Sequence, residues 1–192
     1  RITPWQRTQS PLVYMHFHGS HHEPDYANER IDFRFTYAQS VPQSLHTLEL
    51  FTDKVLPVCH PRLLEEHELN KPADLQHWPL LAVDWQPRFS SPPSWIDWFH
   101  RYASSSTFEA PPASQSFSLS HQALQAVRQG LGIMLAQYSY VHEELASGAL
   151  CAPFENMSLS LDWPYVMTWQ PHVLNKKQAR EFHHFIMQQR DA

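Results

Sequence analysis

The stretch Gln125-Ala126-Val127-Arg128-Gln129-Gly130-Leu131-Gly132-Ile133-Met134-Leu135 carries two of the chain's four glycines within three residues, set between two apolar segments. Upstream, Leu124, Val127 and Leu131 recur at helical spacing, and Ser118 and Ser120 stand where a helix is capped. Downstream, Ile133 to Ala136 is a short unbroken apolar run, the pattern of a buried strand. Cap, helix, glycine stop and buried strand make half of an α/β unit. Such units bind ligands at strand C-terminal ends and helix N-termini, so the same stretch says where to look for function.

Working outward, Val13, Met15 and Phe17 alternate with Tyr14, His16 and His18, a strand signature, and Ile31 to Thr36 alternates again. His21 to Arg30 is polar and reads as a loop or short helix. Leu45 to Phe51 and Lys54 to Val58 are strand-like runs parted by the turn pair Thr52-Asp53, and Pro61 opens a helix through Glu66. Pro79 to Asp84 is a short buried strand. Ser94 caps Trp95 to Tyr102, Ser104 to Pro112 is a loop, and Ser114 to Phe117 is a strand. Tyr138 to Ala146 is a helix closed by Gly148, with strands at Leu150 to Phe154 and Tyr165 to Trp169. Asn175 caps a last helix striped by Ala179, Phe182, Phe185 and Ile186. Strands and helices alternate throughout, which predicts an α/β fold with a largely parallel sheet.

The 192 residues, 42% of them hydrophobic and 13% aromatic, suffice for one large domain or two small lobes with a real core. The formal net charge is −5 and no basic stripe occurs, so the chain is not expected to bind nucleic acid by neutralising phosphates. No run is long enough to span a bilayer, so no membrane partner is expected. Cys59 and Cys151 are the only cysteines and lie far apart in sequence, which makes no disulfide framework; reduced, cytoplasmic thiols are expected. Cys59 lies in an apolar run with no cationic neighbour except His60 and reads as a buried structural thiol rather than a redox sensor.

In order, Asp32-Phe33-Arg34-Phe35, then Leu50-Phe51-Thr52-Asp53-Lys54-Val55-Leu56-Pro57-Val58-Cys59-His60-Pro61-Arg62-Leu63-Leu64, then Pro72-Ala73-Asp74-Leu75 with Pro79-Leu80-Leu81, run through the first half of the chain. Gln125 to Leu135, Leu145-Ala146-Ser147-Gly148-Ala149-Leu150 and Pro153-Phe154 follow. Together they resemble the effector-binding domain of LysR-type transcriptional regulators, from about Pro11 to the end. The Pro57 to Pro61 core and the Trp95/Trp98 pair look most like the branch holding the glycine-cleavage activator, the β-lactamase regulator and the D-serine deaminase activator. The resemblance implies two Rossmann-like lobes joined by two crossover strands, similar to type 2 periplasmic binding proteins, with the effector between them. Lobe one would be residues 1–56 plus 166–192, and lobe two residues 57–165. It also implies a homodimer, a tetramer in the full-length protein, and contact with DNA only through an N-terminal winged helix-turn-helix that this sequence does not contain. Arg1 to Ser10 would supply only the tail of the domain's first helix, so the domain is expected to be N-terminally trimmed.

Each candidate residue has two readings. Ser118, Ser120 and His121 open the Gln125 helix, where free N–H groups suit a carboxylate; Ser120 can equally serve as a cap, and the two duties are compatible. Tyr165 at the second crossover, Trp85 after the strand ending at Asp84, and Thr36 and Tyr37 at another strand end are effector contacts by resemblance and packing residues otherwise. His16, His18, His21 and His22 invite a metal, but no cysteine or carboxylate supplies a spaced second pair, and none is expected. There is no Gly-x-Ser-x-Gly elbow, no His-Glu-x-x-His and no phosphate-cradling glycine loop. The chain is therefore read as a sensor without cofactor, not an enzyme, taking a small amino acid or carboxylate as effector. The rival is a periplasmic solute-binding protein, which shares the cleft; a secretion signal upstream would favour it, a helix-turn-helix the regulator.

Overall fold

The computed structural model describes residues 2–9, 11–20, 24–26, 28–66, 69–85, 92–103 and 110–190. The chain divides into two compact units, Arg1–Phe51 with Trp163–Ala192, and Thr52–Asp162. The seams fall at 51/52 and 162/163, not the expected 56/57 and 165/166, so neither Lys54–Val58 nor Tyr165–Trp169 is cut.

In chain order the helices are α1 (Ile2–Arg7), α2 (Arg62–Glu66), α3 (Trp95–Tyr102), α4 (Ser120–Arg128), α5 (Tyr138–Ser147) and α6 (Lys177–Arg190). The strands are β1 (Arg34–Tyr37), β2 (His46–Phe51), β3 (Lys54–Val58), β4 (Leu80–Val83), β5 (Gln115–Phe117), β6 (Ile133–Gln137), β7 (Leu159–Ser160) and β8 (Tyr165–Trp169). The first unit holds a three-stranded sheet ordered β1-β8-β2, antiparallel throughout, with Tyr37 opposite Tyr165 and Leu48 opposite Met167. Its core gathers Met167 and Trp169 of β8 with Ala179, Phe182 and Ile186 of α6, and Trp5 of α1 closes it edge-on against Phe182 at 5.2 Å.

The second unit holds a five-stranded sheet ordered β5-β4-β6-β3-β7. β4 pairs in parallel with β5 and β6, whereas β3 pairs antiparallel with β6 and β7. The expected largely parallel sheet is thus corrected to a mixed one: β4, β5 and β6, linked through α3 and α4, run parallel, while β3, laid between β6 and β7, runs against both. Every residue of β6 is buried, as in a strand covered on both faces. Leu56, Val58, Leu81, Met134 and Ala136 pack beneath Ala123, Leu124 and Val127 of α4 and Val141 of α5. α3 carries the cap expected of Ser94, which Asp97 completes to a capping box: the Ser94 hydroxyl accepts from Asp97 N at 3.2 Å, and the Asp97 carboxylate accepts from Ser94 N at 3.1 Å.

Several local expectations are corrected. Residues 12–18 form no strand; the alternation persists only in that Val13 and Met15 are partly buried while Tyr14 and Phe17 are exposed. Around Leu150 to Phe154 pairing is confined to one bridge, Cys151 with Cys59, since Pro153 offers no N–H to extend a ladder. Asn175 ends a short 3-10 turn, Pro171–Asn175, instead of capping α6. The loop at Ser104 to Pro112 lies outside the described residues through position 109, as do His21 and His22.

Candidate functional site

Three parallel strands of the second unit end side by side. β4 leads into Trp85, β5 into Ser118, and β6 ends at Gln137. β5 lies on one side of β4 and β6 on the other, so the connection through α4 reverses the winding of the chain and leaves a crevice at these carboxyl ends. A small depression there is lined by Val83, Trp85, Ser120, Leu124, Gln137 and Tyr140.

α4 delivers its N-terminus to the same edge. The extended residue ahead of it is Leu119, whose carbonyl accepts from Gln122 N at 3.1 Å and Ala123 N at 3.3 Å. Ser120 is the first helical residue and the cap position belongs to Leu119, which makes no side-chain cap hydrogen bond, so the capping role expected of Ser120 is corrected. The N–H groups of Ser120 and His121 have no intrahelical carbonyl to reach and form the positive end of the helix. Ser120 and Trp85 are half-buried; Ser118 and His121 are exposed. This arrangement can hold an anion with backbone and hydroxyl donors beside an indole wall.

Gln137 and Tyr140 were not anticipated, although Gln137 is legible as the one polar side chain in Ile133-Met134-Leu135-Ala136-Gln137. It is 3% exposed. Behind them, buried Asp53 accepts from Ser139 Oγ at 2.6 Å, from Ser139 N at 3.3 Å and from Lys54 N at 2.8 Å. A side chain from the turn before β3 thereby caps α5, a contact that local sequence cannot announce.

The remaining candidates lie in the first unit. Tyr37 and Tyr165 oppose each other across β1 and β8 with ring centroids 5.5 Å apart, and Tyr165 stacks on Phe51 at 5.3 Å. The Tyr37 hydroxyl accepts from Trp163 N at 3.1 Å, and the Thr36 hydroxyl donates to the Tyr37 carbonyl at 3.4 Å. The candidates form two groups, one in each unit. Among the described residues no three His, Cys, Asp or Glu side chains lie close enough to hold a metal ion.

The model of the LysR substrate-binding domain matches residues 13–191. The chain belongs to that family. Among its relatives, the uncharacterized HTH-type transcriptional regulator y4mQ of Sinorhizobium fredii is 34% identical over 60% of this chain and 35% of its own length. The HTH-type transcriptional regulator DsdC of Escherichia coli is 31% identical over 64% of this chain and 39% of its own. The chain spans less than half the length of the curated relatives it matches. The effector domain of the transcriptional regulator AmpR of Pseudomonas aeruginosa superposes with a TM-score of 0.73 at 22% identity, covering 100% of this chain and 86% of that one, which shows the shared fold. These LysR relatives are regulators, not enzymes.

Proposed function

We propose that this chain is the effector-sensing domain of a bacterial LysR-type transcriptional regulator whose effector is a small amino acid or carboxylate held at the start of α4. The observation that carries this reading is the meeting of three strand ends with the first turn of α4 inside a chain of this family. In it, the N–H groups of Ser120 and His121 and the hydroxyls of Ser118 and Ser120 receive the carboxylate, and Trp85 supplies the apolar wall. Thr36, Tyr37 and Tyr165 are a separate set of candidate contacts within the first unit. The effector shifts the geometry of a cytoplasmic two-fold dimer, tetrameric in the whole protein, and so resets DNA readers outside this chain. A solute-binding role has no observation in its favour, given the regulator relatives.

A thermal-shift screen over amino acids and small carboxylates identifies the effector, since a specific ligand stabilises by RT ln(1 + [L]/Kd). Ser120→Asp then tests its place. An acidic residue in the first turn suits the helix, so melting stays near the parent's, while its charge repels a bound carboxylate and weakens binding by about tenfold or more. An aspartate variant that binds the effector like the parent refutes the site. Ser120→Ala, which removes no cap, should change stability by less than about 0.5 kcal/mol.

A further inference from the structure

Cys59 and Cys151 stand 92 positions apart in sequence but directly opposite each other in the fold. Cys59 N donates to the Cys151 carbonyl at 3.0 Å and Cys151 N to the Cys59 carbonyl at 2.9 Å, the reciprocal bonds of a hydrogen-bonded antiparallel pair. Such a pair holds its Cα atoms about 5.5 Å apart, near the middle of the range that disulfides occupy. The two Sγ atoms are already 3.5 Å apart. The separation of the two cysteines in sequence conceals this contact between the end of β3 and the segment after α5.

The two sulfurs are not equivalent. Cys59 is fully buried, whereas Cys151 is only partly so. The hydrogen bond between them, together with its own burial, pushes the Cys59 thiol far up, while the same bond draws Cys151 below the ordinary thiol range against the opposing effect of Cys151's burial. A thiolate, when one forms, forms at Cys151.

We propose that Cys59 and Cys151 are a reversible thiol–disulfide site, with Cys151 the sulfur attacked first by a hydroperoxide and Cys59 the one that closes the bond. Cys151 thiolate attacks the outer peroxide oxygen: an S–O bond forms, the O–O bond breaks, and the departing alkoxide takes up a proton and leaves as alcohol or water. Cys59 sulfur then attacks Cys151 sulfur, the S–S bond forms, the S–O bond breaks, and hydroxide leaves with the Cys59 proton as water. Two thiols lose two electrons and one peroxide gains them. The bond pins the end of β3 to the segment after α5, beside Val58 and Leu150 of the core under α4. This inference stands independently of any effector.

The test uses the whole chain, reduced, desalted and treated with hydrogen peroxide. Both thiols should disappear together, with a mass lower by two hydrogens, a peptide joining Cys59 to Cys151, no covalent dimer on a non-reducing gel, and full reversal by dithiothreitol. Oxygen-bearing cysteines without the linked peptide, or two thiols that survive peroxide, overturn the proposal. For the order of attack, Cys59→Ala should accumulate a dimedone-reactive sulfenic acid at Cys151, and Cys151→Ala should lose its thiol about tenfold more slowly than the parent. A pulse of iodoacetamide on the unmutated chain gives the same answer without a variant: label must enter Cys151 before Cys59, and the reverse order overturns the assignment.

Discussion

At the scale of single residues, the glycines and one buried carboxylate separate effects that look alike in sequence. Gly148 ends α5 at φ 75° with open space where a side chain would sit, so Gly148→Ala should cost only the left-handed backbone penalty, about 1 kcal/mol. Gly130 has a similar φ of 70°, but a Cβ there meets the Arg62 guanidinium, which donates to the Gln129 carbonyl at the end of α4. Gly130→Ala should therefore cost more than Gly148→Ala. Gly132 needs no unusual φ; its Cβ would run into the backbone carbonyl of Pro79, which cannot swing aside as a side chain can. Urea melts of the three variants rank them, and an equal cost for all would show that the strands yield. Asp53→Ala removes the cap of α5 and leaves Ser139 unpaired, a loss of about 1–3 kcal/mol by the same measurement.

At the scale of elements, α6 contains a charge-sensitive contact. His183 meets Trp169 of β8 edge-on at 4.7 Å, and burial, with a smaller contribution from neighbouring His184, holds its pKa below the ordinary imidazole value. The folded chain then takes up this proton less readily than the unfolded chain. Its stability is unaffected above the unfolded value, falls as pH drops through it, and levels off below the folded value. His183→Phe should shrink the loss of melting temperature between about pH 7.5 and 5.5 relative to the parent; an unchanged loss removes His183 from the account. Arg128 and Glu144 tie α4 to α5 through two hydrogen bonds of 2.8 and 2.9 Å. That guanidinium holds the Glu144 carboxyl below its usual range, though both groups are partly solvated, so Glu144→Gln should cost at most about 1 kcal/mol above pH 5.

At the scale of the molecule, the chain's route sets an asymmetry between its units. The second is continuous, Thr52–Asp162, and owns all five strands of its sheet. The first needs both ends of the chain, because its central strand β8 arrives only after residue 162. A fragment of residues 52–162 should fold alone with a cooperative melt, while residues 1–51 should remain unstructured until 163–192 is supplied. Circular dichroism of the separate and mixed pieces checks this; a structured 1–51 refutes it. At tens of micromolar, sedimentation of the whole chain should show the proposed dimer. With a net charge of −5 it should not retain a promoter duplex at physiological salt.

What the sequence determined by itself is whatever neighbouring residues decide. The helix-stop-strand reading around Gln125 to Leu135 needs only periodicity and a glycine at φ 70°, and α4, Gly130 and β6 form there. Ser94 announces α3 for the same reason, since the backbone N–H it caps lies within one turn of it. What only the tertiary structure decided involves partners distant in the chain. Alternation at Val13 to Phe17 does not become a strand without an edge to pair with, and parallel or antiparallel order depends on how the connections run. The site divides along the same line: Ser120 and Trp85 are legible at the ends of local elements, but their meeting with Gln137 and Tyr140 follows from strand order. Asp53 capping α5 across 86 positions, and Cys59 facing Cys151 across 92, arise only when β3 is laid into its sheet. Local preferences are additive along the chain; contacts that close long loops exist only once the fold has already brought their ends together.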